Sequence, residues 1–190
     1  MEITHFTTRR NWRKIQRCGF LKPNSPFVQD KFEGEMVKPV PEIHSLSGKR
    51  FVTTIPSERV IDWKNYGLFG DLMDYTSGEV ELTFPLENFD GVMVREHYFT
   101  TAEYSINKYG RNFFDVRLDP MGIRMGLYDG ICKQLFQDYM LSSRKLAGTN
   151  LSQIKVPEVW IPFSVSVERI TAKVKPSLIQ RMLAPVFSGN

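Results

Sequence analysis

An α+β fold in one domain covering residues 1–190 is what this sequence predicts, and three observations predict it. Alternating strand-like stretches and helix-like stretches interleave along the whole chain. Glycines and prolines punctuate them with no convincing linker, internal repeat or low-complexity tract. At 190 residues, 42% hydrophobic and 24% charged, the chain fits a single domain with a substantial core.

Residues 2–7 read as a strand, with Ile3 and His5 on one face and Thr4 and Phe6 on the other. Thr7 or Thr8 caps the helix that follows. In that helix Trp12, Ile15 and Cys18 recur every three residues as a narrow buried stripe, and Gly19 suits the left-handed position past its end. Residues 22–48 hold Pro23, Pro26, Pro39 and Pro41 with little periodicity and read as a long loop. Strand character returns over 49–54. A helix over 57–66 then opens at Ser57 and carries Val60, Ile61, Trp63 and Lys64.

Gly67, Gly70 and Gly78 bracket what reads as a flexible aromatic segment. The alternation of Glu79, Val80, Glu81, Leu82, Thr83 and Phe84 marks a half-buried strand, and Val92–Val94 another. A helix runs from Thr100 or Thr101 to Tyr109. The strongest helical pattern covers 128–146, with Ile131, Cys132, Leu135, Phe136, Tyr139 and Leu146 on its apolar face. Two late strands over 153–162 and 165–174 and a short helical turn over 178–183 complete the chain.

Composition narrows the setting. No window of about 18 apolar residues exists, so no membrane span is expected. The first residues lack the charged and apolar blocks of a leader, and Cys18 and Cys132 have no metal or redox spacing. Both point to reduced thiols and a cytoplasmic location. Net charge is +4, and Arg9, Arg10, Arg13, Lys14, Arg17 and Lys22 face a single acid, Glu2, within the first 22 residues. Such a cluster attracts phosphates of a dinucleotide or a nucleic acid, or serves only as a solvated helix face.

Two residues stand out chemically. His5 on its strand offers one donor and one acceptor to a ligand hydroxyl, beside Thr7. Glu158 lies between Val156 and Trp160 on one strand face. A carboxylate there is paired, at work beside a cleft, or turned to water from an edge strand. Asp90, Arg95, Glu96 and His97 also crowd together and read as a surface hairpin. A nuclease-like metal site of His97, Glu96 and Asp90 conflicts with the opposite facing of adjacent strand residues.

The order of these segments resembles the ADP-ribosyltransferase superfamily, whose members bind NAD in a cleft between two small, mostly antiparallel sheets with flanking helices. The resemblance rests on a histidine on the first strand (His5), a middle strand leading into a helix (49–54 into 57–66), and a glutamate on a late strand (Glu158). It implies NAD as substrate, with Glu158 as catalytic glutamate and His5 orienting the ribose. Trp63 would stack on nicotinamide, Thr7 and Phe51 would line the site, and Arg59, or Arg9 or Arg10, would meet the pyrophosphate. Phe51 stands where the histidine-type branch has tyrosine. Val156 stands two residues before the glutamate, where arginine-modifying members carry a second acid. The implied relatives are therefore the DNA-modifying toxin type or the RNA 2′-phosphotransferase type, acting on a nucleic acid or a protein. Two other classes compete: a non-catalytic basic module that binds nucleic acid or protein, and a metal-dependent hydrolase.

Overall fold

The computed structural model describes residues 1–26, 48–76, 78–113 and 129–176. The loop expected over 22–48 falls mostly outside these residues, and the turn expected over 178–183 falls wholly outside them. The class is α+β. The first strand (β1, Glu2–Thr7) leads into a helix (α1, Arg9–Cys18) capped by the Thr8 hydroxyl, which accepts from the Asn11 N–H at 3.0 Å. Gly19 closes α1 at φ 76°, a conformation that glycine reaches without the Cβ penalty. Two short strands follow (β2, Phe20–Leu21; β3, Ser25–Pro26).

The middle strand (β4, Arg50–Pro56) runs through a 3₁₀ turn, Ser57–Arg59, into a short helix (α2, Val60–Asn65). The stretch expected to be flexible is a helix instead (α3, Leu68–Thr76). Leu68, Phe69, Leu72 and Met73 recur at helical spacing and pack on Phe6, Ile55 and Trp63, and that burial outweighs the glycines. The next strands (β5, Val80–Pro85; β6, Met93–Glu96) precede a 3₁₀ turn, His97–Thr100, and a helix (α4, Ala102–Tyr109) capped by Thr101.

The helix predicted over 128–146 is shorter (α5, Asp129–Leu141). Ser142 and Ser143 donate to the carbonyls of Tyr139 and Met140, at 2.6 Å each, and end it. The chain then joins the sheet (β7, Arg144–Lys145), and Leu146 enters the core from there rather than from the helix face. Of the two late strands, one is β8 (Pro157–Ile161). The other is split by a 3₁₀ turn into β9 (Val165–Ser166) and β10 (Thr171–Val174). The split arises because the Ser166 side chain accepts from the Glu168 N–H and turns the backbone out of extension.

Seven strands form one antiparallel sheet in the order β10-β5-β1-β4-β8-β6-β7, with β3 added to β4, while β2 and β9 pair separately. One face carries Ile3, Val52, Leu82, Phe84, Val94, Val159 and Ile161, partly covered by Trp12 and Ile15 of α1. The other face carries Phe51, Met93 and Trp160 beneath Tyr139 and Met140 of α5. Beside them, Phe6 and Ile55 lie with Trp63, Leu68 and Tyr98. The Cys18 of the expected buried stripe is exposed.

Arg59 fastens the segment before β8 to this scaffold. Its guanidinium donates to the carbonyls of Leu151 (2.8 Å), Ile154 (2.7 Å) and Lys155 (3.2 Å) and pairs with Asp62. Only the planar five-donor fork serves so many acceptors at once. Arg59→Ala should lower the melting temperature by about 5–10 °C, corresponding to about 2–3 kcal/mol, and Arg59→Lys should recover little of it. Thermal unfolding followed by circular dichroism checks both.

Candidate functional site

On the β1 side of β4, hydrogen-bonded pairing is interrupted. β1 pairs with β4 only at Ile3↔Pro56 and Thr4↔Ile55, and β3 only at Ser25↔Phe51 and Pro26↔Arg50. Carbonyls two residues apart point the same way, so those of Phe51 and Thr53 face one edge. Phe51 accepts there from the Asn24 N–H at 3.1 Å. Thr53, in the gap, meets Nδ1 of His5 at 2.8 Å. A carbonyl can only accept, so Nδ1 carries the proton and Nε2 is left as an acceptor. Burial lowers the pKa of His5 below its ordinary 6.5, with the Thr53 bond pulling the other way, so the neutral ring is favoured.

Glu158 sits on β8, between β4 and β6, and is only 9% exposed. The edge-strand alternative is thereby corrected: β8 is an interior strand and all five of its residues are buried. The carboxylate accepts from Trp160 Nε1 at 2.7 Å and from the Tyr139 hydroxyl, which α5 brings down onto the sheet. Directly across on β6 stands Arg95, 2% exposed. Its guanidinium lies 4.2 Å over the Trp160 ring and 5.1 Å from that of Tyr139, and Nε donates to Ser143 Oγ at 2.8 Å. Arg95 Nη1 also reaches the Tyr139 oxygen at 3.5 Å, so the phenol links the guanidinium to the carboxylate. Burial, then the Glu158 charge, raises the Tyr139 pKa well above 10, and the phenol stays a donor.

His97 completes the cluster, its ring between Trp63 (4.5 Å) and Tyr139 (4.9 Å). The Thr100 hydroxyl donates to the His97 carbonyl at 2.9 Å, so it accepts from Nδ1 at 2.6 Å. Burial holds the His97 pKa below 6.5, although the Glu158 charge partly offsets it. The surface hairpin expected around Asp90–His97 is thus wrong for Arg95, which turns inward on β6, and for His97, which packs inward from the 3₁₀ turn that follows. Glu96 is also committed, accepting from the N–H groups of Tyr98, Lys155 and Val156. Among the described residues no three His, Cys, Asp or Glu side chains gather as a metal site. His44 lies outside those residues.

The remaining predicted site residues have structural duties here. Trp63 is 3% exposed, with Nε1 donating to the Pro157 carbonyl at 3.1 Å, so its indole is part of the core. Phe51 is fully buried edge-on to Trp160, and Thr7 is buried where β1 pairs with β5. Arg59 is engaged as described above, and Arg9 donates to the Lys175 carbonyl. By strand alternation His5 shares a face with Ile3, and Glu158 shares the opposite face with Trp160. β4 alone separates their strands. Sequence reasoning missed Arg95, His97 and Tyr139 as companions of Glu158. The signal for Arg95 was a cation between Val94 and Glu96 on a strand; for Tyr139 there was only an aromatic on an apolar helix face.

Two histidines kept neutral by burial give a signed pH dependence. The unfolded chain binds protons near pH 6.5 and the folded chain only lower, so stability is full above 6.5 and falls as pH drops through and below it. Urea unfolding at pH 7.5, 6.5 and 5.5 should show this decline, and His5→Gln and His97→Gln should each flatten it.

Comparison with protein-family models, with curated proteins and with solved structures gives no match.

Proposed function

We propose that the chain is an ADP-ribosyltransferase-type enzyme that cleaves the bond between nicotinamide and ribose in NAD, with Glu158 as its catalytic glutamate. One observation carries this reading. The three segments of the superfamily-like pattern lie on three strands, β1, β4 and β8, that are direct neighbours in one sheet. Segments more than 150 residues apart in the chain are thereby neighbours; His5 and Glu158 project from opposite faces of the sheet, so the reading rests on the Glu158 face, with β1 and β4 as its supports.

The chemistry suits the groups. Breaking the glycosidic bond develops positive charge on the ribose, as in oxocarbenium-like glycoside cleavage. A carboxylate held by Trp160 Nε1 is preorganised to stabilise that charge, because this hydrogen bond persists once Tyr139 has moved aside for the substrate. His5, on the opposite face, does not reach a ribose beside Glu158; bound to the Thr53 carbonyl through Nδ1, it holds β4 next to β1. Binding of the dinucleotide requires Tyr139 to move off the carboxylate it covers. Trp63 and Arg59 take no part in holding NAD on this reading, since the core and the segment before β8 already use them.

Millimolar NAD should raise the melting temperature by about 3–8 °C, as any ligand selective for the folded state does. Glu158→Gln keeps an acceptor for Trp160 and Tyr139 while removing the charge. Nicotinamide release should then drop by about two to three orders of magnitude with NAD affinity little changed. Glu168→Gln, at an exposed position, is the control and should be silent. No release of nicotinamide by the parent chain, or equal rates in parent and Glu158→Gln, would overturn the proposal.

A further inference from the structure

Helix α1 contains no acidic residue. Four of its cations, Arg10, Arg13, Lys14 and Arg17, follow the spacing i, i+3, i+4, i+7 and so form one stripe along the helix. All four are exposed, and none has a hydrogen-bond or ion-pair partner among the described residues. Arg9, off this stripe, differs: it is half-buried and engaged with Glu79 and Lys175. Like charges at these spacings repel, so helix stability gives no reason for the arrangement. A polyanion would relieve the repulsion.

The geometry narrows the polyanion. Trp12 and Ile15, the apolar side of α1, pack against the core, so the helix has no apolar face left to sink into a lipid surface. Seven residues of helix span about 10 Å, the length of about three phosphates along one nucleic-acid strand. Gly19 then turns the chain, and Phe20, the next residue, is 45% exposed. Its backbone is fixed by pairing with Ser166, so an aromatic ring stands exposed at the end of the cationic stripe. Exposed Lys22 follows two residues on. Cations that track a backbone together with an aromatic on which a base stacks are the two parts of a single-strand binding surface.

We infer that α1 and Phe20 form a face that binds single-stranded nucleic acid through its phosphates and one stacked base. This does not depend on the transferase reading, since neither NAD nor Glu158 takes part.

The test is fluorescence anisotropy of the full chain with labelled single-stranded DNA and RNA oligonucleotides of about 20 nucleotides, without NAD, across a salt series. Affinity should fall with salt with a log–log slope of about −2 to −3, four cations contributing about −0.7 each. Replacing Arg10, Arg13, Lys14 and Arg17 together by Gln should weaken binding at least about tenfold and flatten the slope. The double variant Arg13→Gln/Arg17→Gln should fall between, and serves if the fourfold variant fails to fold. Phe20→Ala should cost about tenfold with the slope retained. Absence of binding to either oligonucleotide at about 50 mM salt, equal affinity of the charge variants and the parent, or binding to phosphatidylserine vesicles alone would overturn the inference. Loss of nicotinamide release in Glu158→Gln with oligonucleotide binding intact would separate the two proposals.

Discussion

The carboxylate of Glu158 on an interior strand is the constraint around which this fold is arranged. A charge removed from water there costs several kcal/mol unless it is hydrogen-bonded and balanced. No neighbour in sequence except Trp160 supplies a bond. The other comes from Tyr139 of α5, which must seat firmly on the sheet, and the balancing charge is Arg95 of β6, set directly across by the β6–β8 register and linked to the carboxylate through the Tyr139 hydroxyl. A slip of one residue would turn Arg95 to the opposite face, among Val52, Val159 and Ile161, and leave both charges uncompensated. The cluster therefore specifies register and helix position more than it adds stability. Its completeness is measurable: among the described residues no buried side-chain nitrogen or oxygen lacks a partner.

The interruption of pairing along β4 is the second organising feature, and it is coupled to the first. One side of β4 is paired with β8 over Val52–Thr54, which holds the Glu158 strand in place. On the side facing β1 and β3, pairing stops at Ile55 and resumes at Phe51. An unpaired carbonyl there would be costly, and His5 satisfies it at Thr53. A side chain thus replaces a backbone donor where two strands part, and an ionisable group becomes tied to sheet geometry. The same burial that keeps His5 neutral keeps His97 neutral, so both rings offer lone pairs at physiological pH.

Sequence reading recovered the parts of the fold that local chemistry controls. Thr8 and Thr101 cap helices because a hydroxyl two or three residues before an orphan N–H satisfies it in any context. Gly19 ends the first of these helices at positive φ for an equally local reason. The alternation in β5 was readable because one face is buried. Boundaries failed where tertiary contact decides. α3 exists because its apolar residues find the Phe6–Ile55 cluster, and α5 stops at Leu141 because β7 must reach β6.

The sequence by itself determined the α+β class, most of the helices and strands, the helix caps, the cationic helix and the conspicuous isolation of Glu158 among apolar residues. Each of these depends on spacing within about a dozen residues, where periodicity and capping operate. Only the tertiary structure decided that β8 is interior, that Tyr139 meets Glu158 with Arg95 set across from it, and that Trp63 and Arg59 belong to the scaffold. It also brought β1, β4 and β8 side by side. Those outcomes depend on which strands become neighbours, and strand order is set by the joint burial of residues far apart in the chain, which no local pattern encodes.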